Sequence, residues 1–318
     1  MDYQWPTAAL SPIRIFEKSN ASKKELSTYY ETLENILAHK FGMQSLLFPS
    51  ARAGIAAILE YENISRGDMV FVPPYSSHCL WDTVGRYACP TVVYDSEIKA
   101  ALIVHKYGYV HQKINKASLI IEDSVDSLII DSSAVMPLSG TYEVFSLPKI
   151  IGSWCGGVVI SSNLNFVQWV KEERYANSRL AVHQSKLKYL SFYQKLKPFS
   201  HPYFLEPLNR QLDLNGLNNI IDCLKRIGEA VEVIQERLLK VLSRFDVNFF
   251  RHNGRIPCVL PFSQKNYKVK NADQWLERYF NFSMNSLFKD YEPSWILPLH
   301  FGVNSKQFNA LLDDLECA

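Results

Sequence analysis

The stretch FSLPKIIGSWCGG, Phe145 to Gly157, closes an apolar run with Ser146 and then sets one amine, Lys149, among apolar neighbours. A buried ammonium is costly unless it is paired, neutralised or used covalently. One covalent use is addition to a carbonyl carbon. A second apolar run, ASLIIED, ends in Asp123. Its carboxylate could hold a protonated ring nitrogen, and its ordinary reading is a helix cap or a solvated acid. A third stretch, FPSARAGIAAIL, reads as a strand, a turn of small residues and an immediate helix. The backbone N–H groups of Ala51 and Arg52 would open that helix, where a phosphate is favourably held. Each signal alone is weak. Together, an amine, a carboxylate and an anion cradle at strand ends are what pyridoxal phosphate (PLP) chemistry requires.

The elements that must position these residues are legible along the chain. SKKELSTYYETLENILAHKFG predicts a helix, with Ser22 and Glu25 as a capping box and Gly42 as its stop. SLLFP, DMVFVPP, PTVVYD, KAALIVHKYG, ASLIIED, TYEVFSL and GGVVISS predict short strands, separated by helices over SARAGIAAILEYENI and SSHCLWDTVGRYA. The strands are continuously apolar, which suits a mainly parallel sheet covered on both faces. The fold class is therefore α/β, and ligands are expected at the carboxyl ends of the strands. NFVQWVKEERYANSRLAV predicts a helix, and LNNIIDCLKRIGEAVEVIQERLLKVLSRF a single long one. Then IPCVLPF and SWILPLHF predict strands, and NADQWLERYF and NSKQFNALLDDLE helices, together a small C-terminal α+β unit. This divides the chain into a large cofactor-binding domain over 1–240 and a small domain over 241–318.

Composition narrows the function. The chain has 318 residues, 47% hydrophobic and 21% charged, with a net charge of +2. No basic tail or cluster marks a nucleic-acid binder. No apolar stretch is long enough to span a bilayer, and the N-terminus lacks a signal-peptide pattern, so a cytoplasmic enzyme is expected. Cys79, Cys89, Cys155, Cys223, Cys258 and Cys317 are scattered without metal-type spacing. They read as reduced core thiols, and no metal site is expected. No GxGxxG opens a helix, which disfavours a nicotinamide dehydrogenase.

The ordered run of FPSARAGIAAIL, GDMVFVPPYSSHCLWDTVGRYACPTVVYD, LIVHKYG, LIIEDSVDS, FSLPKIIGSWCGGVVISS and SWILPLHFGVNSKQFNALLDDLE resembles the DegT/DnrJ/EryC1/StrS family. These are PLP-dependent sugar aminotransferases of fold type I. The resemblance implies that Lys149 is the Schiff-base lysine and the base that moves the substrate proton, and that Asp123 holds the pyridine nitrogen. It implies that Ala51 and Arg52 bind the phosphate through their backbone, with help from Ser146. The ring-stacking position falls at Ser77 or, with a one-residue shift, at His78. We take His78, since an imidazole can stack. It implies PLP as cofactor, a nucleotide-linked keto-deoxy sugar as acceptor, glutamate or glutamine as amino donor, and a homodimer.

The sequence departs from the family pattern in three places. Ser146 and Lys149 are two residues closer than usual. Asp126 replaces a glutamine that contacts the cofactor's ring oxygen, and a carboxylate there repels a phenolate unless it is protonated or turned away. A stretch that reaches the neighbouring subunit is replaced by NRQLDLN, where Asn209, Arg210 and Gln211 are the polar residues. The aromatic and lysine-rich segment from Lys186 to Pro207 reads as a subunit interface. The departures at Asp126 and at the lysine turn motivate an alternative: a catalytically altered relative that binds or regulates. The intact Lys149 speaks against the sugar dehydratase branch, where histidine replaces it.

Overall fold

The computed structural model describes residues 21–110, 117–129, 140–153, 155–175, 210–247, 254–281, 291–300 and 303–318. Helix α1 (Lys23–Phe41) begins where Ser22 Oγ accepts the Glu25 N–H at 3.2 Å and ends at Gly42, whose φ of 71° is left-handed. Its apolar stripe, including Tyr30, Leu33, Leu37 and Phe41, is buried, and Phe41 stacks on Phe145 with ring centroids 5.0 Å apart. Glu34 is buried too. It accepts the Leu47 N–H at 2.8 Å and pairs with Arg174, so the helix is tied to the sheet by charge as well as by packing.

The central sheet has seven strands: β1 (Ser45–Phe48), β2 (Met69–Phe71), β3 (Cys89–Thr91), β4 (Ile98–Val104), β5 (Leu119–Asp123), β7 (Tyr142–Ser146) and β8 (Gly157–Ser161). Their order is β1-β8-β7-β5-β4-β2-β3. All run parallel except β8, which is antiparallel to both β1 and β7. On one face α2 (Ala51–Tyr61), α3 (His78–Tyr87) and α5 (Leu164–Glu173) bury Ile55, Ile58, Leu80, Val84, Phe166 and Val170. The other face carries α1, α6 (Leu214–Leu224) and α7 (Ile227–Leu242), packed around Phe145, Val158 and Ile220. Burial on both sides explains the continuously apolar strands.

The C-terminal part contributes β9 (Arg255–Pro257), β10 (Val259–Ser263), β11 (Tyr267–Val269), β12 (Leu276–Asn281), β13 (Tyr291–Pro298), α8 (Ser305–Asp314) and β14 (Leu315–Cys317). These build a three-stranded antiparallel sheet, β10-β13-β12, and a β11-β14 pair. β9 crosses back to pair antiparallel with β6 (Ser127–Ile129), just beyond β5.

Three expectations need correction. The single long helix is two, broken at Lys225 and Arg226. Arg226 leaves helical geometry at φ −102°, ψ 9°, and Gly228, a poor helix former, follows. The second half of NADQWLERYF belongs to the strand β12, after a short 3-10 turn over Ala272–Gln274: β12 pairs with β13 from Leu276↔Ile296 to Asn281↔Tyr291. The Trp275 Nε1–H donates to Asp314 at 2.7 Å and anchors the strand's start, so tertiary pairing overrides a helix-like spacing of aromatics. IPCVLPF is two strands, switching partners at Cys258 from β6 to β13. The interface reading of Lys186 to Pro207, the end of the run NFVQWVKEERYANSRLAV and Asn209 lie outside the described residues.

Candidate active site

β5 and β7 are parallel neighbours, so their carboxyl ends, Asp123 and Ser146, come to the same edge of the sheet. The shortened connection after Ser146 is a single helical turn, α4 (Leu147–Ile150), with the Ile151 N–H on the Leu147 carbonyl at 2.8 Å. This turn carries Lys149. Its Nζ donates to Asp126 Oδ1 at 2.8 Å, and the pair is largely buried. The second carboxylate oxygen of Asp126 accepts the Tyr107 N–H at 3.3 Å. The lone lysine of the sequence is therefore paired, and Asp126 is the partner.

The Asp123 carboxylate lies beside this pair. Burial pushes its pKa up to about 6, Lys149 opposes the rise and Asp126 adds to it. Among the described residues its carboxylate accepts one hydrogen bond, from the Val125 N–H at 3.1 Å to Oδ1. For Lys149, burial works against the ammonium, but the charge and hydrogen bond of Asp126, then Asp123 and Cys79, outweigh it. The amine titrates above an ordinary lysine.

The remaining sequence-derived residues surround this edge. Ala51 and Arg52 open α2, and Ser50 caps it by accepting the Ala53 N–H at 3.2 Å. A Cβ on Gly157 would lie 2.2 Å from the Ala51 nitrogen, so only glycine lets β8 approach the helix start this closely. The Gly156 N–H reaches the Pro49 carbonyl at 2.8 Å, and the Leu147 N–H reaches the Gly156 carbonyl at 3.1 Å. The anion-cradle turn and the lysine turn are thereby laced together through the glycine pair. Ser146 is half-buried at the end of β7 and does not cap α4. Ser77 precedes α3 and His78 begins it, both exposed; Cys79, one residue on, is close enough to bear on Lys149.

A family model described as "Putative PLP-dependent aminotransferase" matches residues 35–316. The chain belongs to this family of PLP-dependent aminotransferases. No curated protein matches it by sequence. Among solved structures, S. venezuelae DesV is similar over 90% of this chain and 88% of its own, at 14% identity and a TM-score of 0.58. The sugar aminotransferase CalS13 from Micromonospora echinospora covers 90% of both chains at 13% identity and TM-score 0.57. A DegT DnrJ EryC1 StrS aminotransferase from Brucella abortus is 12% identical over 90% of this chain and 88% of its own, at TM-score 0.56. The aminotransferase thus has the fold type I architecture that the resemblance implied.

The residues present fit PLP. A buried carboxylate that burial holds reluctant to ionise, with an oxygen that takes no hydrogen bond from the described residues, suits a cationic ring N–H. The aminotransferase also carries site features that its sequence did not disclose. Tyr107 supplies its N–H to Asp126 from a left-handed backbone, φ 58°, which is uncommon for a bulky residue. Lys106 donates to the carbonyls of Tyr75 at 3.2 Å and Tyr279 at 3.0 Å, joining the β2–α3 loop to β12. Signals of this kind lie in backbone geometry and long-range pairing, which residue types do not show. Behind Asp123, a buried network joins His105 Nε2 to Glu122 at 2.8 Å and Arg255 to Glu143 at 2.9 Å, with Ser124 between Arg255 and Glu143. His105, Glu122 and Glu143 lie close enough to hold a metal, but the Arg255 guanidinium already supplies the cation.

Arg210 pairs with Glu60 and with Glu173 at 3.6 Å and covers the Trp169 ring at 4.5 Å, while Gln211 is buried. Of the thiols, Cys155, Cys223 and Cys258 are buried, whereas Cys89 and Cys317 are exposed and Cys79 is half-buried, so the core-thiol expectation holds for three of the six. Among the described residues no helix is long and apolar enough to cross a membrane.

Proposed function

We propose that this aminotransferase moves an amino group from glutamate or glutamine onto a nucleotide-linked keto-deoxy sugar, as a cytoplasmic homodimer, with Lys149 as the residue that binds PLP covalently. The observation that carries the reading is the convergence of Lys149, Asp126 and Asp123 on one sheet edge beside the start of α2. The shared fold with sugar aminotransferases supports the acceptor class. When bound, PLP supplies the electron sink for breaking a bond at the substrate carbon. Asp123 would hold the ring nitrogen's proton, the first N–H groups of α2 and Ser146 would face the phosphate, and His78 would lie against the ring. Lys149 would take the proton from the substrate carbon and return it to the acceptor position. The buried edge would keep water from competing for that proton.

The test follows the visible spectrum of the PLP-loaded protein on adding glutamate or glutamine, with the keto acid product measured separately. Donor-dependent bleaching and stoichiometric keto acid are expected. The aminated form is then offered nucleotide-linked keto sugars, with mass spectrometry of the product. A protein that binds PLP on Lys149 yet never yields keto acid with any amino donor would overturn the reading in favour of the binding relative.

A further inference from the structure

Asp126 is fixed by three separate parts of the chain. Lys149 Nζ donates to Oδ1 at 2.8 Å, the Tyr107 N–H donates to Oδ2 at 3.3 Å, and the Cys258 N–H reaches its backbone carbonyl at 3.3 Å. The Tyr107 contact requires a left-handed tyrosine, and strain of this kind persists where the surroundings enforce it. They do so here: Gly108 follows at φ 80°, and a Cβ there would lie 2.9 Å from the Pro257 Cα, so β9 packs directly on the turn. These contacts direct the Asp126 carboxylate at the Lys149 amine.

We infer that Asp126 is a positioning residue for Lys149: it holds the ε-amine at the sheet edge and stabilises the ammonium that forms when the lysine takes the substrate proton. The inference rests on Lys149 being the cofactor lysine. In the step, the substrate C–H bond breaks, its electron pair stays on carbon, and the Lys149 lone pair takes the proton. The ammonium later gives the same proton back, and Lys149 is neutral again. Nothing is consumed. Among the described residues, the groups facing Lys149 include Asp123 at the end of β5, Asp126 in the turn that follows it and Cys79 from α3, while the charge of Lys149 also reaches Lys106 and Cys258. Burial lowers Lys106 to about 8, with Asp126 pulling the other way.

The experiment uses cofactor-free protein, labelled with acetic anhydride across a pH series, with acetylation of Lys149 read by peptide mass spectrometry. In the wild type, the labelling midpoint of Lys149 should lie above that of the exposed Lys24 in the same digest. Asp126→Asn should lower the Lys149 midpoint by at least about one pH unit, a tenfold gain in labelling rate below it. Asp126→Glu should retain most of the wild-type midpoint. A wild-type midpoint at or below that of Lys24, or one unmoved in Asp126→Asn, overturns the inference, and the first of these needs no variant to fold. A merely structural Asp126 would change stability without moving the midpoint. Borohydride fixation of PLP is scored separately: fixation elsewhere than Lys149 overturns the site assignment and with it the catalytic part of the inference, while the labelling result still reports the Asp126–Lys149 coupling.

Discussion

Replacing Asp123 by asparagine should stabilise the cofactor-free protein while destroying its chemistry. Burial raises the Asp123 pKa from 3.8 to about 6. The folded state therefore binds this proton more tightly than the unfolded chain does. The group's contribution is most favourable below the unfolded pKa and is lost as pH rises through the folded one. At about 1.4 kcal/mol per unit, a shift of this size makes the ionised carboxylate a liability of about 3 kcal/mol above about pH 7. Asparagine keeps the shape and still accepts the Val125 N–H, but it carries no charge. Urea unfolding without PLP should show Asp123→Asn more stable than wild type by about 1–3 kcal/mol at about pH 8, and nearly equal at about pH 4. With PLP added, the order should reverse, because only the wild type gains the pairing with the ring nitrogen. A stability difference that does not change with pH, or a variant weaker at about pH 8, would refute the claim that Asp123 is held ionised at a cost until the cofactor arrives.

Other perturbations test the rest of the site. Lys149→Ala should eliminate the PLP adduct that borohydride fixes, and lower transamination by about 10²- to 10⁴-fold or more, read by mass spectrometry and by keto acid release. Gly157→Ala drives a methyl to within 2.2 Å of the Ala51 nitrogen. It should cost about 1–3 kcal/mol or more and weaken PLP binding, while an unchanged melting temperature would show that the helix start can retreat. Arg255→Ala leaves Glu143 buried without its cation and should cost about 3–5 kcal/mol in urea unfolding. Burial lifts Glu143 from 4.5 to about 7, so its contribution falls as pH rises across that window. Glu143→Gln should flatten that part of the pH–stability profile.

Much of the site was legible because strand ends are easy to find. Apolar runs that stop at Asp123 and Ser146 mark parallel strands, and parallel strands bring their carboxyl ends together whatever the intervening sequence does. The cap at Ser22 was legible because capping is local chemistry. What escaped depends on distant partners. WLERYF has helical spacing and becomes a strand because β13 is available to pair with it. The break at Arg226 is marked in sequence only by Gly228, a weak signal because a helix interior can also carry a glycine. Asp126 could be named as a departure, but its direction could not, since that depends on a left-handed Tyr107 and on Pro257 behind Gly108. The turn before Lys149, which the resemblance marks as short, is a single turn of helix.

The crossing of β9 onto β6 sets an order of events during synthesis. The seven strands of the central sheet all lie between Ser45 and Ser161, so the sheet can close while the chain is still emerging. The lysine turn and the start of α2 belong to that early part. The strand that pairs with Ser127–Ile129, the N–H that reaches the Asp126 carbonyl and the guanidinium behind Ser124 all arrive with residues 255–258. Contacts this far apart in sequence form slowly, after the entropy of a large loop has been lost. A nascent chain thus carries Lys149 and Asp126 before the residues that pack behind them have emerged. The surroundings of Asp126 are completed only by the part of the chain that follows the central sheet.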